Sequence, residues 1–222
     1  MTRRVQVFAA ASAAVLAMCG QAAAQPSAAD RPLAIEGMGG GSFGSHSSGT
    51  IGVEGDYSFT PSIAVFAELG YVFNVTPQFI TDRANSIAAT QGGTASTKDK
   101  ATLFDVGAKY VLKPVFGGYN PYVGISGGFA HVSKETTMTI GGATLDESQL
   151  LNQYQIQLGS DLAGSLNKGT FAVLFGIARD FHERYALDVS YRYTRIFPKT
   201  SDIEGDQGIN VNRIQVGVLI RF

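Results

Sequence analysis

"VNRIQVGVLIRF", residues 211–222, is the last stretch of the chain. Apolar side chains at Ile214, Val216, Val218 and Ile220 alternate with Arg213, Gln215, Gly217, Leu219 and Arg221. Side chains two apart share one face of a β-strand. One face here is continuously apolar, and the other carries two arginines, a glutamine and a glycine. Two surroundings select such a strand. One is a soluble sheet with a single wetted face. The other is a membrane barrel with lipid outside and a polar lumen.

The same alternation recurs upstream and predicts eight strands. They cover Pro32–Phe43, Thr50–Phe59, Ser62–Phe73, Ala101–Leu112, Pro121–Val132, Thr170–Phe181, Tyr185–Ile196 and Ile209–Phe222. Each is close to the length of about 9–11 residues that a tilted strand needs to cross a bilayer. The connections decide between the two surroundings. The second, fourth and sixth are short, at 60–61, 113–120 and 182–184. The long ones, 74–100 and 133–169, fall on the opposite side. Short periplasmic turns with long extracellular loops mark an outer-membrane barrel. An even strand number also returns the chain to the side on which it starts.

The faces agree with this choice. Ile51, Val53, Ile63, Val65, Leu69, Phe104, Val106, Val123, Ile125, Phe171, Val173, Phe175, Leu187 and Val189 fall on the outward parity. Glu36, Glu54, Asp56, Glu68, Asp105, Lys109, Asp188, Arg192, Arg213 and Arg221 fall on the inward one. Aromatic residues gather at strand ends: Phe59, Tyr110, Phe181, Tyr185 and Phe222 on the periplasmic side, Phe43, Phe73 and Tyr193 on the other. They resemble the two interfacial girdles of membrane barrels, although the chain has no tryptophan. The expected fold is all-β, an eight-stranded antiparallel up-and-down transmembrane β-barrel.

The first residues point to export. "MTRRVQVFAAASAAVLAMCGQAAAQ" has two arginines, an apolar run from Val5 to Met18, and Ala22–Ala24 as a cleavage site before Gln25. The apolar run is too short to span a bilayer, so residues 1–24 are expected to be a cleavable signal peptide. Gln6 argues against a twin-arginine signal and Met18 against a lipoprotein at Cys19. The mature chain, 25–222, then holds no cysteine, and its net charge moves from −1 to −3 as Arg3 and Arg4 leave. One barrel domain is expected, with no basic surplus for nucleic acid. No later apolar run is long enough for a membrane helix, yet 45% of the residues are hydrophobic, 27 are glycine and 14 phenylalanine. A closed barrel is the other way to satisfy the backbone in lipid.

The two long connections differ. Residues 74–100 are polar and rich in small side chains, and are expected to be mobile. Residues 133–169 contain Leu151, Tyr154, Leu158 and Leu162 at helical spacing. That stretch is expected as a helix or a hairpin above the membrane, because a ninth crossing strand would break the parity of the ends.

"FAVLFGIARDFHERYALDVSYRYTRI", residues 171–196, resembles the last hairpin of the OmpA/OmpX-like outer-membrane β-barrel domain, with its -LD-xYRY strand. "YNPYVGISGGFAHV", residues 119–132, resembles that family's fifth strand, and Phe222 resembles the terminal aromatic read by the outer-membrane assembly machinery. The resemblance spans the mature chain. It implies residence in a Gram-negative outer membrane, contact with outer-membrane lipid and lipopolysaccharide, and a monomer with no cofactor. No second, peptidoglycan-binding domain is expected, because the sequence stops at the last strand of the barrel. Family members include adhesins, opacity-type surface proteins and small porins.

Function is less legible than fold. The expected role is structural or surface-interacting, with an extracellular ligand met through 74–100 and 133–169. The alternative is a narrow porin-like channel for ions or small solutes. Its gate would be the lumen charges Glu54, Asp56, Glu68, Asp105, Lys109, Asp188, Arg192 and Arg213, which should pair because an unpaired buried charge is costly. Two further classes are weaker. His131, Ser133 and Glu135 share a face and raise a lipid A deacylase, but the motif is short and commonplace. A soluble periplasmic binder would need the faces reversed. His46, His131 and His182 lie too far apart for a shared metal, and no metal or catalytic residue is expected. "GMGGGSFG", residues 37–44, precedes no helix and is no phosphate loop.

Overall fold

The computed structural model describes residues 31–44, 46–115, 118–198 and 208–222. The expected signal peptide lies outside these residues. The described elements are β1 (Leu33–Gly44), β2 (Ser48–Thr60), β3 (Ile63–Val72), α1 (Gln78–Ala89), β4 (Thr94–Val111) and β5 (Tyr119–Ile140), followed by β6 (Ala143–Leu145), α2 (Glu147–Tyr154), β7 (Gly164–His182), β8 (Tyr185–Ile196) and β9 (Ile209–Arg221). All strand pairs are antiparallel. β1 pairs with β9 and β4 with β5, so eight strands close into a barrel. β6 pairs only with the far end of β5 and does not cross, which preserves the expected parity.

The register sets the barrel's shape. Crossing the ladder from Glu36 leads through Glu54, Glu68, Asp105, Gly128, Thr170 and Ile196 to Ile209 on β9. Glu36 itself pairs with Leu219, ten residues further along β9 than Ile209. Eight strands with such a stagger tilt by about 35–45° and enclose a space that side chains fill.

The two faces separate as the period-two pattern demands. On β3, Ala64, Phe66, Glu68, Gly70 and Val72 are buried, while Ile63, Val65, Ala67 and Leu69 are exposed. The exposed face of the barrel is apolar, including Ile51, Val53, Phe104, Val106, Ile125, Phe175 and Val218. The lumen holds Glu36, Glu54, Asp56, Glu68, Asp105, Lys109, Asp188, Arg192 and Arg213, all buried. A soluble domain has the reverse arrangement. Phe59, Tyr110, Phe181, Tyr185 and Phe222 are exposed at the end with short turns, Phe43 and Phe73 at the other.

The extracellular end departs from expectation. β4 starts at Thr94 rather than Ala101, β5 runs to Ile140 rather than Val132, and β7 starts at Gly164 rather than Thr170. Outward residues in these extensions are polar: Lys98, Lys100, Ser133, Glu135, Ser165 and Asn167. Lipid-facing alternation stops at the membrane surface, but backbone pairing continues past it. The stretch 74–100 is accordingly folded rather than loose, as α1 and the start of β4.

Residues 133–169 contain both a hairpin and a helix. Gly141 and Gly142, at φ 59° and 84°, supply the left-handed backbone that a two-residue turn between β5 and β6 requires. Asp146 caps α2: its side chain accepts from the Gln149 N–H at 2.9 Å, and its own N–H donates to Gln149 Oε1 at 3.0 Å. The leucine spacing does not form one long helix. α2 ends at Tyr154, Leu150 rather than Leu151 is its buried side chain, and Leu158 and Leu162 pack from the segment that follows.

Ile80, Ala84 and Ala88 of α1 join Met138, Ile140, Leu145, Leu150, Leu158 and Leu162 in one apolar cluster. The extracellular extensions thus form a cap with a core of their own.

Candidate functional site

The lumen is built in levels. Nearest the periplasm, Glu36 on β1, Glu54 and Asp56 on β2, Lys109 on β4, Tyr122 on β5 and Asp188 on β8 point inward, none more than 7% exposed. Lys109 Nζ bonds to Glu54 and lies 2.9 Å from Asp56 Oδ1. The Asp56 contact is close but not aligned as a hydrogen bond, since neither Asp56 oxygen has a hydrogen-bond partner. The ammonium also stands 5.1 Å from the ring centres of Phe66 and Tyr122. Tyr122 OH donates to Asp188 Oδ2 at 2.9 Å.

One level up, two arginines on β8 and β9 face two glutamates across the lumen. Arg192 Nη2 lies 2.7 Å from Glu54 Oε2, and Arg192 Nη1 bonds to Glu68. Arg213 holds Glu68 with both terminal nitrogens, at 2.6 and 3.3 Å, and reaches Thr194 Oγ1 at 3.3 Å. Forked pairing of this kind is the strong form of the carboxylate–guanidinium bond. Asp105 accepts from Thr170 Oγ1 at 2.6 Å.

The alternation therefore brings together all eight lumen residues read from the sequence. Arg221 sits apart at the rim, bonded to Asp180. Tyr122 was not among the sequence candidates, although Val123 and Ile125 outward imply its inward parity. An inward aromatic reads as filler until its hydroxyl is seen to meet an acid.

Above the charges the lumen turns apolar. Val72, Val75, Ala101, Leu103, Ala130, Val132, Ile196, Ile209 and Val211 form a buried plug beneath the cap. Above the plug, Asp99 is buried in the extension of β4. Burial pushes its carboxyl up to about 6, against the opposing pull of Lys134, Lys168 and His46. The Asp99 N–H donates to Thr76 Oγ1 at 2.8 Å and its carbonyl accepts from the Val75 N–H at 2.7 Å, pinning the chain between β3 and α1.

The deacylase candidates do not converge. His131 Nδ1 is bonded to Asn167 at 2.8 Å and Glu135 to Lys100 at 3.0 Å, and neither bond reaches Ser133.

A family model described as the outer membrane protein beta-barrel domain matches residues 10–222. Among solved structures, the chain is similar to Neisserial surface protein A, with a TM-score of 0.50, 14% identity, and coverage of 86% of this chain and 96% of that one. It is also similar to the N-terminal β-barrel domain of OprF from Pseudomonas aeruginosa, with a TM-score of 0.46, 17% identity, and coverage of 86% and 96%. At such identities the likeness is one of fold alone. No curated protein matches in sequence.

Proposed function

The chain belongs to the outer membrane protein beta-barrel domain family, and from that premise we propose that it acts at the cell surface through its folded extracellular cap rather than as a channel. The observation that carries this is the apolar plug. An ion crossing the barrel would have to leave paired charges and pass Leu103, Val132, Ile196 and Ile209, each 5% exposed or less. Stripping a charge of water and partners in such surroundings costs several kcal/mol or more. The cap supports the same view. Its separate core holds α1, α2 and the β5–β6 hairpin in a defined arrangement, as a binding surface needs and an open pore mouth does not. Lipopolysaccharide and the lipid of the outer leaflet would surround the barrel, with an extracellular ligand meeting 74–100 and 133–169. The lumen charges then act as an internal brace and not as a gate.

Conductance decides between the two roles. The barrel refolded into a planar bilayer should show no defined unitary steps. Regular steps that vanish in Arg213→Ala or Glu68→Ala would make the protein a channel gated by its charge network.

A further inference from the structure

The charges of the lumen do not balance, and the imbalance has a location. In the upper level Glu68 and Asp105 face Arg192 and Arg213, two against two. In the lower level four carboxylates, those of Glu36, Glu54, Asp56 and Asp188, face the ammonium of Lys109. Arg192 reaches down to Glu54, but over both levels six carboxylates face three cations, a surplus of three negative charges among side chains that are almost fully buried. Buried surplus charge has to be neutralised for the fold to persist.

Geometry shows where a neutralising group fits. One oxygen each of Glu36, Glu54 and Asp56 lie within 4.8 Å of one another. Lys109 lies against Glu54 and Asp56 and Arg192 against Glu54, so Glu36 is the member of the cluster with no cation beside it among the described residues. Glu36 is 2% exposed, and among the described residues its carboxylate has no hydrogen bond and no ion pair. Its position is prepared by Gly217. A Cβ at Gly217 would stand 1.9 Å from Glu36 Oε1, so the absence of a side chain there admits the carboxylate. Asp188 pairs directly with Gly217 and so borders the same space. A second, uncharged group is also unpartnered. Gln215, one inward step along β9 from Gly217, is 1% exposed, and neither of its amide atoms is hydrogen-bonded.

We propose that the periplasmic half of the lumen is a divalent-cation site, with Glu36, Glu54 and Asp56 each supplying an oxygen. Carboxylate oxygens on adjacent strands are donors for a hard cation such as calcium or magnesium, and among the described residues no histidine or cysteine that would favour a softer metal joins them. The apolar plug seals the other end, so the cation enters from the periplasmic side, where Asp56, Lys109 and Tyr122 keep their residual exposure of 7% each. A bound cation ties β1 to β2 beneath the arginine level and takes up two of the three surplus charges.

The test uses the whole protein extracted in detergent from outer membranes, stripped with EDTA, then titrated with calcium chloride or magnesium chloride. Sodium chloride of equal ionic strength is the control. Saturable binding by calorimetry is expected, with a rise in the temperature at which the folded band is lost on a semi-native gel. Both should disappear in Glu36→Gln and persist in Glu135→Gln, which changes an outward acid of the cap. Terbium gives a measurement that needs no ligand variant. The chain has nine tyrosines and no tryptophan, so light absorbed by tyrosine feeds a nearby terbium ion. Emission should be competed away by calcium and fall several-fold in Tyr122→Phe. No binding and no emission in the unaltered protein would overturn the proposal and leave protons to neutralise the surplus. A calcium response that survives in Glu36→Gln would also overturn it, placing the cation elsewhere, on lipid phosphates or the cap.

Discussion

Arg192 joins the two charge levels, holding Glu54 below and Glu68 beside it at 1% exposure. Removing it leaves two buried carboxylates short of a partner. Arg192→Ala should therefore lower stability by about 3–5 kcal/mol in urea unfolding from lipid vesicles, the loss expected when one member of a buried pair is removed. A loss under about 1 kcal/mol, as for a surface pair, would contradict a working network. Asp99 makes a different prediction at the same scale. Its carboxyl is held at about 6 by burial, whereas in the unfolded chain it ionises near 3.9. Above pH 6 the folded cap carries the cost of a buried charge. Below about pH 4 that cost is gone, because both states are protonated. The cap should thus tighten as pH falls from 7 to 4, seen as slower amide exchange across 94–100 after correction for the intrinsic rate. Asp99→Asn should flatten this dependence, and a cap that loosens over the same window would contradict the assignment.

At the scale of elements, the membrane-crossing parts were legible because lipid and lumen impose opposite chemistry on alternate residues. Eight spans, their order and the inward charges follow from that one rule. The cap obeys no such rule. The outward residues of β4, β5 and β7 turn polar above Ala101, Val132 and Thr170, so paired strand looks like loop there. α1 hides for a related reason. Its buried stripe is Ile80, Ala84 and Ala88, a four-residue spacing, but two of the three are alanines and give little hydrophobic contrast. The cap's independence from the barrel is testable. Leu150 is fully buried in the cap cluster, and Leu150→Ala should cost about 2–5 kcal/mol of local stability. Limited proteolysis should then cut between 141 and 160 while the barrel still resists unfolding in detergent. Loss of the folded barrel itself would show that cap and barrel form one cooperative unit.

For the whole molecule, the governing fact is an inverted distribution of polarity. The surface of the barrel carries Ile51, Leu69, Phe104, Ile125 and Phe175, and its interior carries Glu36, Glu68, Arg192 and Arg213. Among the described residues, closure at eight strands pairs each membrane-crossing strand on both sides, so the backbone facing lipid is satisfied within the chain. The final strand alternates through to its end because it closes this ring against β1 and faces lipid with Ile214, Val216, Val218 and Ile220. The most direct measurement is the migration of the refolded protein on a semi-native detergent gel, unheated and boiled. A closed lipid-facing barrel should stay folded in detergent and move differently until boiled. A single band at one position in both lanes, from a protein that stays in solution without detergent, would contradict the barrel and reverse the assignment of its two faces.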